Sequence, residues 1–311
     1  MKYTNDIIQE VLALYKLGYS SRNISLELFG TKTRKSSVND IINRYGRALN
    51  EPYSVQKGEP KILLLDLETS PTIAAVFGRY DINLSQANII REGGFLFSAA
   101  WKFLGDKEVT GVVMTPEEVS CSDDSRIVAN LYEVIQIADI VVGHNLNRFD
   151  IKVFRTRCLL NNFPPPKTVK TADTLTMAKR LKFDSNKLDS LGSVLGVGRK
   201  IENSGMSLWV KCLEGNEEAL QEMLRYNKQD VALLQDVYLK LRAFDTKHPN
   251  LNVFYDDGED RCTVCGSLHI HPTGHSVFTQ HSEYAEYACG DCGSRSKLKT
   301  RIKTGVNVLT V

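Results

Sequence analysis

The sequence predicts an α/β protein with a small helical domain before its core and a small cysteine-rich domain after it. A short apolar run bounded by charge, residues 61–66, is typical of a strand buried on both faces. Helical patterns follow the strand candidates, as in α/β folds. Two Cys-x-x-Cys pairs lie beyond residue 256. At 311 residues the chain fits one substantial core with small satellite domains.

Composition is that of an ordinary globular protein, with 42% hydrophobic and 24% charged residues. The residues after Met1 lack the apolar core of a secretory signal, and no later apolar run is long enough to span a bilayer. We therefore expect a cytoplasmic protein with no membrane partner. The net charge of +2 does not diagnose a nucleic-acid partner, but residues 1–50 carry eight Lys and Arg against four Asp and Glu.

The amino-terminal domain, residues 1–50, is predicted to contain three short helices. Apolar residues recur at helical spacing from Ile7, and Gly18 ends this first helix. Ser20 or Ser21 can cap the second helix, which Gly30 ends. A third helix is expected to follow a cap at Ser36 or Ser37. The polar linker 50–60 contains two prolines and marks a boundary.

The core domain is predicted to cover residues 60–245. After the first strand, strands are expected at 95–103, 108–114 and 140–142. Helices are expected at 124–138, 148–161, 171–180, 187–195 and 217–241.

Acidic side chains stand at three separated places in this core. Asp66 and Glu68 end the first strand, and strand alternation points them to the same side. Two such carboxylates repel each other unless a cation lies between them. Asp150 lies near a helix start after another apolar strand, while Tyr226 and Asp230 are one helical turn apart.

Together these three places resemble the motifs of the DEDD family of 3′-to-5′ exonucleases. Asp66-Leu-Glu68-Thr resembles the first motif, Asn145-x-x-x-Phe-Asp150 the second, and Tyr226-x-x-x-Asp230 the third. Their order and spacing match the tyrosine subclass, as in the proofreading domain of family B DNA polymerases. The resemblance implies a ribonuclease-H-like mixed sheet flanked by helices, over roughly residues 60–245.

The resemblance also implies an activity and its residues. DNA phosphodiesters would be hydrolysed from a single-stranded 3′ end to nucleoside 5′-monophosphates. Two Mg²⁺ or Mn²⁺ ions would be held by the four carboxylates, and a tyrosine would orient the attacking water; these residues are Asp66, Glu68, Asp150, Asp230 and Tyr226. Asn145 is a candidate contact to the nucleic acid. Carboxylate oxygens are ligands that these ions prefer. A pair of such ions can stabilise both the attacking and the leaving oxygen of a phosphodiester.

The cysteine pairs predict a structural metal site in residues 256–311. Cys262-Thr-Val-Cys265-Gly and Cys289-Gly-Asp-Cys292-Gly resemble the two knuckles of a zinc ribbon, with one Zn²⁺ bound by four thiolates. Free thiols or a redox pair are the alternative. The following tail alternates basic residues from Arg295 to Lys303, which suits either a phosphate contact or a solvated strand face.

The amino-terminal segment resembles a helix-turn-helix. In that interpretation Asn39 and Arg44 of the third helix enter the major groove of duplex DNA, while Lys32, Arg34 and Lys35 contact phosphates. A small helical bundle used for protein contact is the alternative.

Two further functions remain open from the sequence. An exoribonuclease or a structure-selective nuclease could use the same fold, because the metal site recognises phosphate rather than sugar. A non-catalytic DNA-binding regulator is also possible, although the presence of all four carboxylates argues against it.

Overall fold

A computed structural model describes residues 3, 5–16, 19–45, 58–78, 80, 82, 84–201 and 204–304. The chain divides into two compact units. One comprises residues 1–57 together with Asn162–Pro165, and the other comprises residues 58–161 and 166–311. Among the described residues, no helix combines the length and apolar character needed to cross a membrane.

Three helices form the amino-terminal unit: α1 Asn5–Lys16, α2 Ser21–Phe29 and α3 Lys35–Tyr45. Their shared core is apolar and fully or almost fully buried; it consists of Ile8, Val11, Ile24, Val38 and Ile41. Helix α2 confirms its predicted ends. The Ser20 side chain accepts a hydrogen bond from the Asn23 N–H, and Gly30 ends the helix in the left-handed conformation with φ 65°.

The start of the third helix was predicted wrongly. Helix α3 begins at Lys35, before Ser36 and Ser37. A 3₁₀ turn over Lys32–Arg34 precedes it, and the Thr31 hydroxyl caps that turn. Such a turn satisfies backbone groups at the start of α3 that a capping serine would otherwise satisfy. Gly18, the linker residues 50–57 and the side chain of Arg44 lie outside the described part of the chain.

The second unit contains a five-stranded mixed sheet and a separate two-stranded ladder. The strands are β1 Ile62–Thr69, β2 Ile73–Ala74, β3 Ile89–Arg91, β4 Leu96–Phe103, β5 Thr110–Val113, β6 Ile140–Gly143 and β7 Lys170–Asp173. The main sheet has the order β5-β4-β1-β6-β7. Strand β1 is central, antiparallel to β4 and parallel to β6. The first strand is therefore buried on both faces, as predicted.

Helices follow or separate these strands: α4 Pro116–Cys121, α5 Ser125–Ile137, α6 Asp150–Leu160, α7 Thr174–Lys179, α8 Leu188–Val194, α9 Met206–Leu213 and α10 Glu217–Leu241. The long helix α10 has the predicted bounds and packs against β1, β4 and β5. In this core Ile62 and Leu64 of β1 join Val231 and Leu234 of α10.

One core element was predicted as the wrong type. Residues 171–173, expected at the start of a helix, belong to β7, which pairs parallel with β6. The helix α7 begins only at Thr174, after Asp173. Strand β7 has only four residues, which is too few to show the alternating pattern of a strand. Its strand conformation depends on hydrogen bonds to β6 instead.

The carboxyl-terminal segment forms a three-stranded antiparallel sheet: β8 Ile270–Phe278, β9 Ser282–Cys289 and β10 Arg295–Thr304, in the order β10-β9-β8. It belongs to the same compact unit as the main sheet. Leu251, a buried member of the main core, donates its N–H to the Thr263 carbonyl at 2.8 Å. A backbone hydrogen bond therefore links this segment to a buried residue of the main core.

Candidate active site

Three of the predicted carboxylates converge beside helix α10. Ile62 and Leu64 of β1 pack against this helix, so strand alternation places Asp66 and Glu68 on the same face of the sheet. Asp230 approaches from α10 itself. One carboxylate oxygen from each of the three lies within 4.8 Å of the others. The first and third sequence motifs thus meet in space.

Burial makes ionisation of this cluster costly. Burial, and then the charge of Asp230, raise the pKa of Asp66 to about 7. Burial, and then the charges of Asp66 and Asp230, raise the pKa of Glu68 to about 9. Burial also raises the pKa of Asp230, although Lys200 opposes this. Without a cation the cluster therefore retains protons near neutral pH.

The donor set fits a hard divalent cation. Asp230 Oδ1 is buried and has no hydrogen-bond partner among the described residues. A buried carboxylate oxygen without a partner is costly. Oxygen ligands from three carboxylates match the preference of Mg²⁺ or Mn²⁺, and such an ion would satisfy the orphaned oxygen while removing the mutual repulsion.

Asp150 lies next to this cluster but outside its compact part. It is the first residue of α6 and is only 2% exposed. Burial, and then the charge of Asp66, raise its pKa well above the ordinary value, while backbone N–H groups of Asp150 and Leu67 oppose the rise. Its charge in turn raises the pKa of Glu68. Asp150 is thus close enough to act electrostatically on the cluster.

Asn227 is a site residue that the sequence reasoning missed. Its Nδ2 donates to Asp66 Oδ2 at 2.6 Å, and its Oδ1 accepts from the Ser98 hydroxyl at 2.9 Å. Asn227 is fully buried, so this bridge holds Asp66 in place. A signal existed in the sequence: Asn227 is four residues from both Met223 and Val231, which makes it a polar residue in the apolar stripe of α10.

Lys200 was also missed. Its Nζ donates to Tyr226 Oη at 3.0 Å and to Asp230 Oδ2. Burial lowers the pKa of Lys200, but Asp230 outweighs this and raises it above the ordinary value. Lys200 therefore stays charged and neutralises part of the cluster. Its own backbone N–H is held by Asp189 at 2.9 Å. No local pattern could have identified it, because it lies in an irregular loop after α8.

Tyr226 lies one helical turn before Asp230, as predicted. Burial, and then the charge of Asp230, raise the pKa of its phenol to about 12. The hydroxyl therefore keeps its proton at neutral pH and can donate a hydrogen bond. Its ring makes an edge contact with Trp209, with 6.3 Å between ring centroids.

The turn that carries Asn145 is organised by a buried carboxylate. Asn145 has a left-handed backbone with φ 69°, a conformation that asparagine tolerates better than most residues. The Asp173 carboxylate accepts the N–H of Asn145 at 3.1 Å and that of Asn147 at 3.2 Å. It also caps α7. Asp173 thus joins the second motif to the next helix.

The four paired cysteines form a second candidate metal site. One Sγ from each lies within 4.8 Å of the others. The Sγ atoms of Cys262 and Cys292, and those of Cys265 and Cys289, are separated by 3.6 Å. This distance is too long for a disulfide bond, which is ~2.05 Å. It is close to the S–S distance of roughly 3.8 Å in a tetrahedral zinc site, which follows from Zn–S bonds of about 2.3 Å.

Both knuckles have the same turn. Gly266 and Gly293 have left-handed φ of 77° and 76°, and each donates its N–H at 3.0 Å to the carbonyl of the first cysteine of its pair. Burial raises the pKa of Cys262, but hydrogen bonds from Ser294 and backbone groups outweigh it and lower the value to about 7. Burial raises the pKa of Cys265 and of Cys292, so without a metal Cys262 ionises more readily than these two thiols.

The basic residues predicted to bind duplex DNA are exposed. Lys32, Arg34 and Lys35 are all exposed, and Asn39 is half-buried. The Arg34 guanidinium lies 5.3 Å from the centroid of the Phe29 ring. These side chains are accessible to phosphates, and their role stays a prediction.

Comparison with known proteins agrees with the fold. Residues 95–242 match the family model RNase_H_2 of the RNase_H superfamily, which confirms the predicted ribonuclease-H-like fold. The matched range contains Asp150, Tyr226 and Asp230 and begins after Asp66 and Glu68. No curated protein is significantly similar in sequence.

Similar solved structures include the family B DNA polymerase from the hyperthermophilic archaeon Pyrobaculum calidifontis. Its identity to this chain is 14% and its TM-score is 0.46. The similarity covers 60% of this chain and 25% of the polymerase chain, so this chain spans about a quarter of that polymerase's length.

Proposed function

We propose that this chain is a metal-dependent 3′-to-5′ exonuclease that releases nucleoside 5′-monophosphates from DNA. One observation supports the proposal above the others: ligand oxygens of Asp66, Glu68 and Asp230 lie within 4.8 Å of one another, and Asp230 has a buried oxygen without a hydrogen-bond partner among the described residues. Such a costly arrangement is expected where a divalent cation completes a site. The RNase H superfamily match over residues 95–242 supports a nuclease of this fold.

Asp66, Glu68 and Asp230 would hold the catalytic Mg²⁺ or Mn²⁺ ions, with Asp150 at the edge of the site. When bound, two such ions supply the positive charge that activates water and stabilises the leaving oxygen. The polarity, the mononucleotide product and the preference for DNA follow from the motif resemblance.

The protein's own side chains have separate tasks in this proposal. The Tyr226 hydroxyl, protonated at neutral pH, donates a hydrogen bond that orients the attacking water. Asn227 keeps Asp66 in one position through its 2.6 Å bond. Asn145, at the turn held by Asp173, contacts the nucleic acid.

The flanking domains receive proposals of their own. Four thiolates at tetrahedral spacing support one structural Zn²⁺, because four protein ligands leave no open position for substrate. The exposed Lys32, Arg34 and Lys35 support contacts to duplex phosphates, with Asn39 as the candidate contact to the bases. For zinc, elemental analysis should find about one equivalent that is lost in the Cys262→Ser, Cys289→Ser double variant.

The nuclease proposal is tested with substrates labelled at the 5′ end: single-stranded DNA, duplex DNA and RNA, each with Mg²⁺, Mn²⁺ or EDTA. Asp66→Ala and Asp230→Ala should abolish cleavage while binding persists, because they remove cation ligands. Tyr226→Phe should be milder. Glu133→Ala, an exposed acidic position on α5, is the matched control and should keep full activity.

The pattern of products decides between the remaining functions. A ladder with RNA alone would favour an exoribonuclease, and no cleavage of any substrate would favour a binding protein. Full activity of Asp66→Ala, in protein free of contaminating nuclease, would refute the assigned site.

A further inference from the structure

Strand β10 is strongly basic. Between Arg295 and Thr304 it contains five Lys and Arg residues and no Asp or Glu. The basic residues occupy every second position, starting at Arg295. Because side chains alternate across a strand, this pattern directs positive charge toward one face wherever β10 is regularly extended.

The structure shows which face this is. From Arg295 to Lys299 the side chains alternate between exposed and half-buried, and the basic ones are the exposed set. Lys297 pairs across the ladder with Glu286, and Arg301 with Tyr284. The register shifts between these two pairs. Beyond Lys299 the alternation ends, and residues 299–302 are all exposed, Arg301 among them.

Most of this charge is not neutralised locally. Arg295 forms an ion pair with Glu286 at 2.8 Å. Within the described residues, no carboxylate forms an ion pair with Lys297, Lys299 or Arg301. Lys297 instead lies 3.4 Å from the centroid of the Tyr284 ring, a cation–π contact that holds the ammonium near the sheet surface. We define Lys297, Lys299 and Arg301 as the β10 basic face.

We propose that the β10 basic face binds the sugar–phosphate backbone of single-stranded nucleic acid; the identity of this ligand rests on the proposed nuclease function. Alternate residues of a strand are ~6.8 Å apart, comparable to the spacing of successive phosphates along an extended nucleic-acid strand. A row of cations at this spacing can follow one strand without reading its bases. The second cysteine knuckle lies directly before this row, because Cys289 ends β9 and Cys292 is three residues before the start of β10.

The test measures binding of a labelled single-stranded oligothymidylate by fluorescence anisotropy over about 50 to 200 mM salt. Protein carrying Asp66→Ala serves as the background so that the probe stays intact. The test variant is Lys297→Gln, Lys299→Gln, Arg301→Gln. The matched control neutralises three exposed lysines elsewhere in the same unit: Lys107→Gln, Lys170→Gln, Lys240→Gln. Unchanged thermal unfolding verifies that both variants are folded.

Loss of three phosphate contacts should weaken binding about 10- to 100-fold and reduce the slope of log affinity against log salt by about two. The control variant should bind like its parent. An unchanged slope in the test variant would overturn the proposal, as would an equal loss in the control. Binding to phosphatidylserine vesicles but not to the oligonucleotide would assign the face to a lipid surface instead.

Failure of this proposal can be separated from failure of the proposed function. In otherwise wild-type protein, the test variant should raise the KM for single-stranded DNA by about the factor by which it weakens binding. Cleavage with unaltered binding would reject only the β10 basic face. A binding defect in a protein that cleaves nothing would reject only the nuclease.

Discussion

Replacing Glu68 by glutamine should make the metal-free protein less sensitive to alkaline pH. Burial and the neighbouring Asp66 and Asp230 raise the pKa of Glu68 from 4.5 to about 9. Between these values the folded protein keeps a proton that the unfolded chain has released. The resulting stability is complete below pH 4.5 and is lost as pH rises through about 9.

The magnitude follows from the same values. One pH unit corresponds to about 1.36 kcal/mol for one proton, and the loss levels off near the folded pKa. Glu68 therefore accounts for a decrease of about 2 kcal/mol in the free energy of unfolding between pH 7 and 9. For a domain of this size that is roughly 4–8 °C in midpoint temperature. The pKa values of His144 and His248 are lowered from 6.5, so both histidines are neutral across this window.

The assay compares thermal unfolding of wild type and Glu68→Gln in EDTA at pH 7, 8 and 9. Effects of titrating groups outside the carboxylate cluster cancel in the difference between the two proteins. Added Mn²⁺ should flatten the wild-type curve, because a bound cation favours ionised carboxylates. Parallel pH profiles for the two proteins in EDTA would refute the inferred burial and repulsion at Glu68.

Three other substitutions each remove one specific contact. Arg157→Ala should lower the free energy of unfolding in urea by about 3–5 kcal/mol. The reason is that Asp124 is fully buried and would lose its two hydrogen bonds of 2.6 and 2.8 Å to Arg157. A loss below about 1 kcal/mol would contradict this. Asn227→Ala should lower kcat about 10- to 100-fold with KM little changed, because Asp66 loses the hydrogen bond that positions it. Steady-state kinetics in which only KM rises would contradict this role. Lys200→Met should tighten Mn²⁺ binding to the substrate-free protein about tenfold, because a competing positive charge is removed from Asp230. A paramagnetic-resonance titration measures this affinity. Unchanged or weaker binding would contradict the competition.

Much of the fold could be predicted from the local spacing of apolar residues. The apolar run that became β1 and the amphipathic helix α10 were long and regular enough to predict, and α10 has the expected bounds. The short strand β7 was not readable, because its conformation comes from hydrogen bonds to β6. The short helices α4 and α9 escaped prediction because each spans too few turns to show a period.

The candidate site divides in the same way. Asp66, Glu68, Asp150 and Asp230 could be proposed from their spacing, and the structure brings three of them into one cluster with Asp150 beside it. Asn227 could have been noticed as a polar residue on an apolar helix face, whereas Lys200 had no local signal. Its importance comes from a loop that returns to α10 and places an ammonium against Asp230.

By itself, the sequence determined which residues could carry the chemistry, because residue type and spacing along a strand or helix are local properties. It also determined the cysteine pairs, whose two-residue spacing is set by the short turn of a knuckle. Only the tertiary structure decided how strongly the carboxylates perturb one another and which neutral and cationic groups support them. Burial and charge–charge energies depend on distances between segments far apart in the chain, and those distances exist only once the sheet and α10 have packed together.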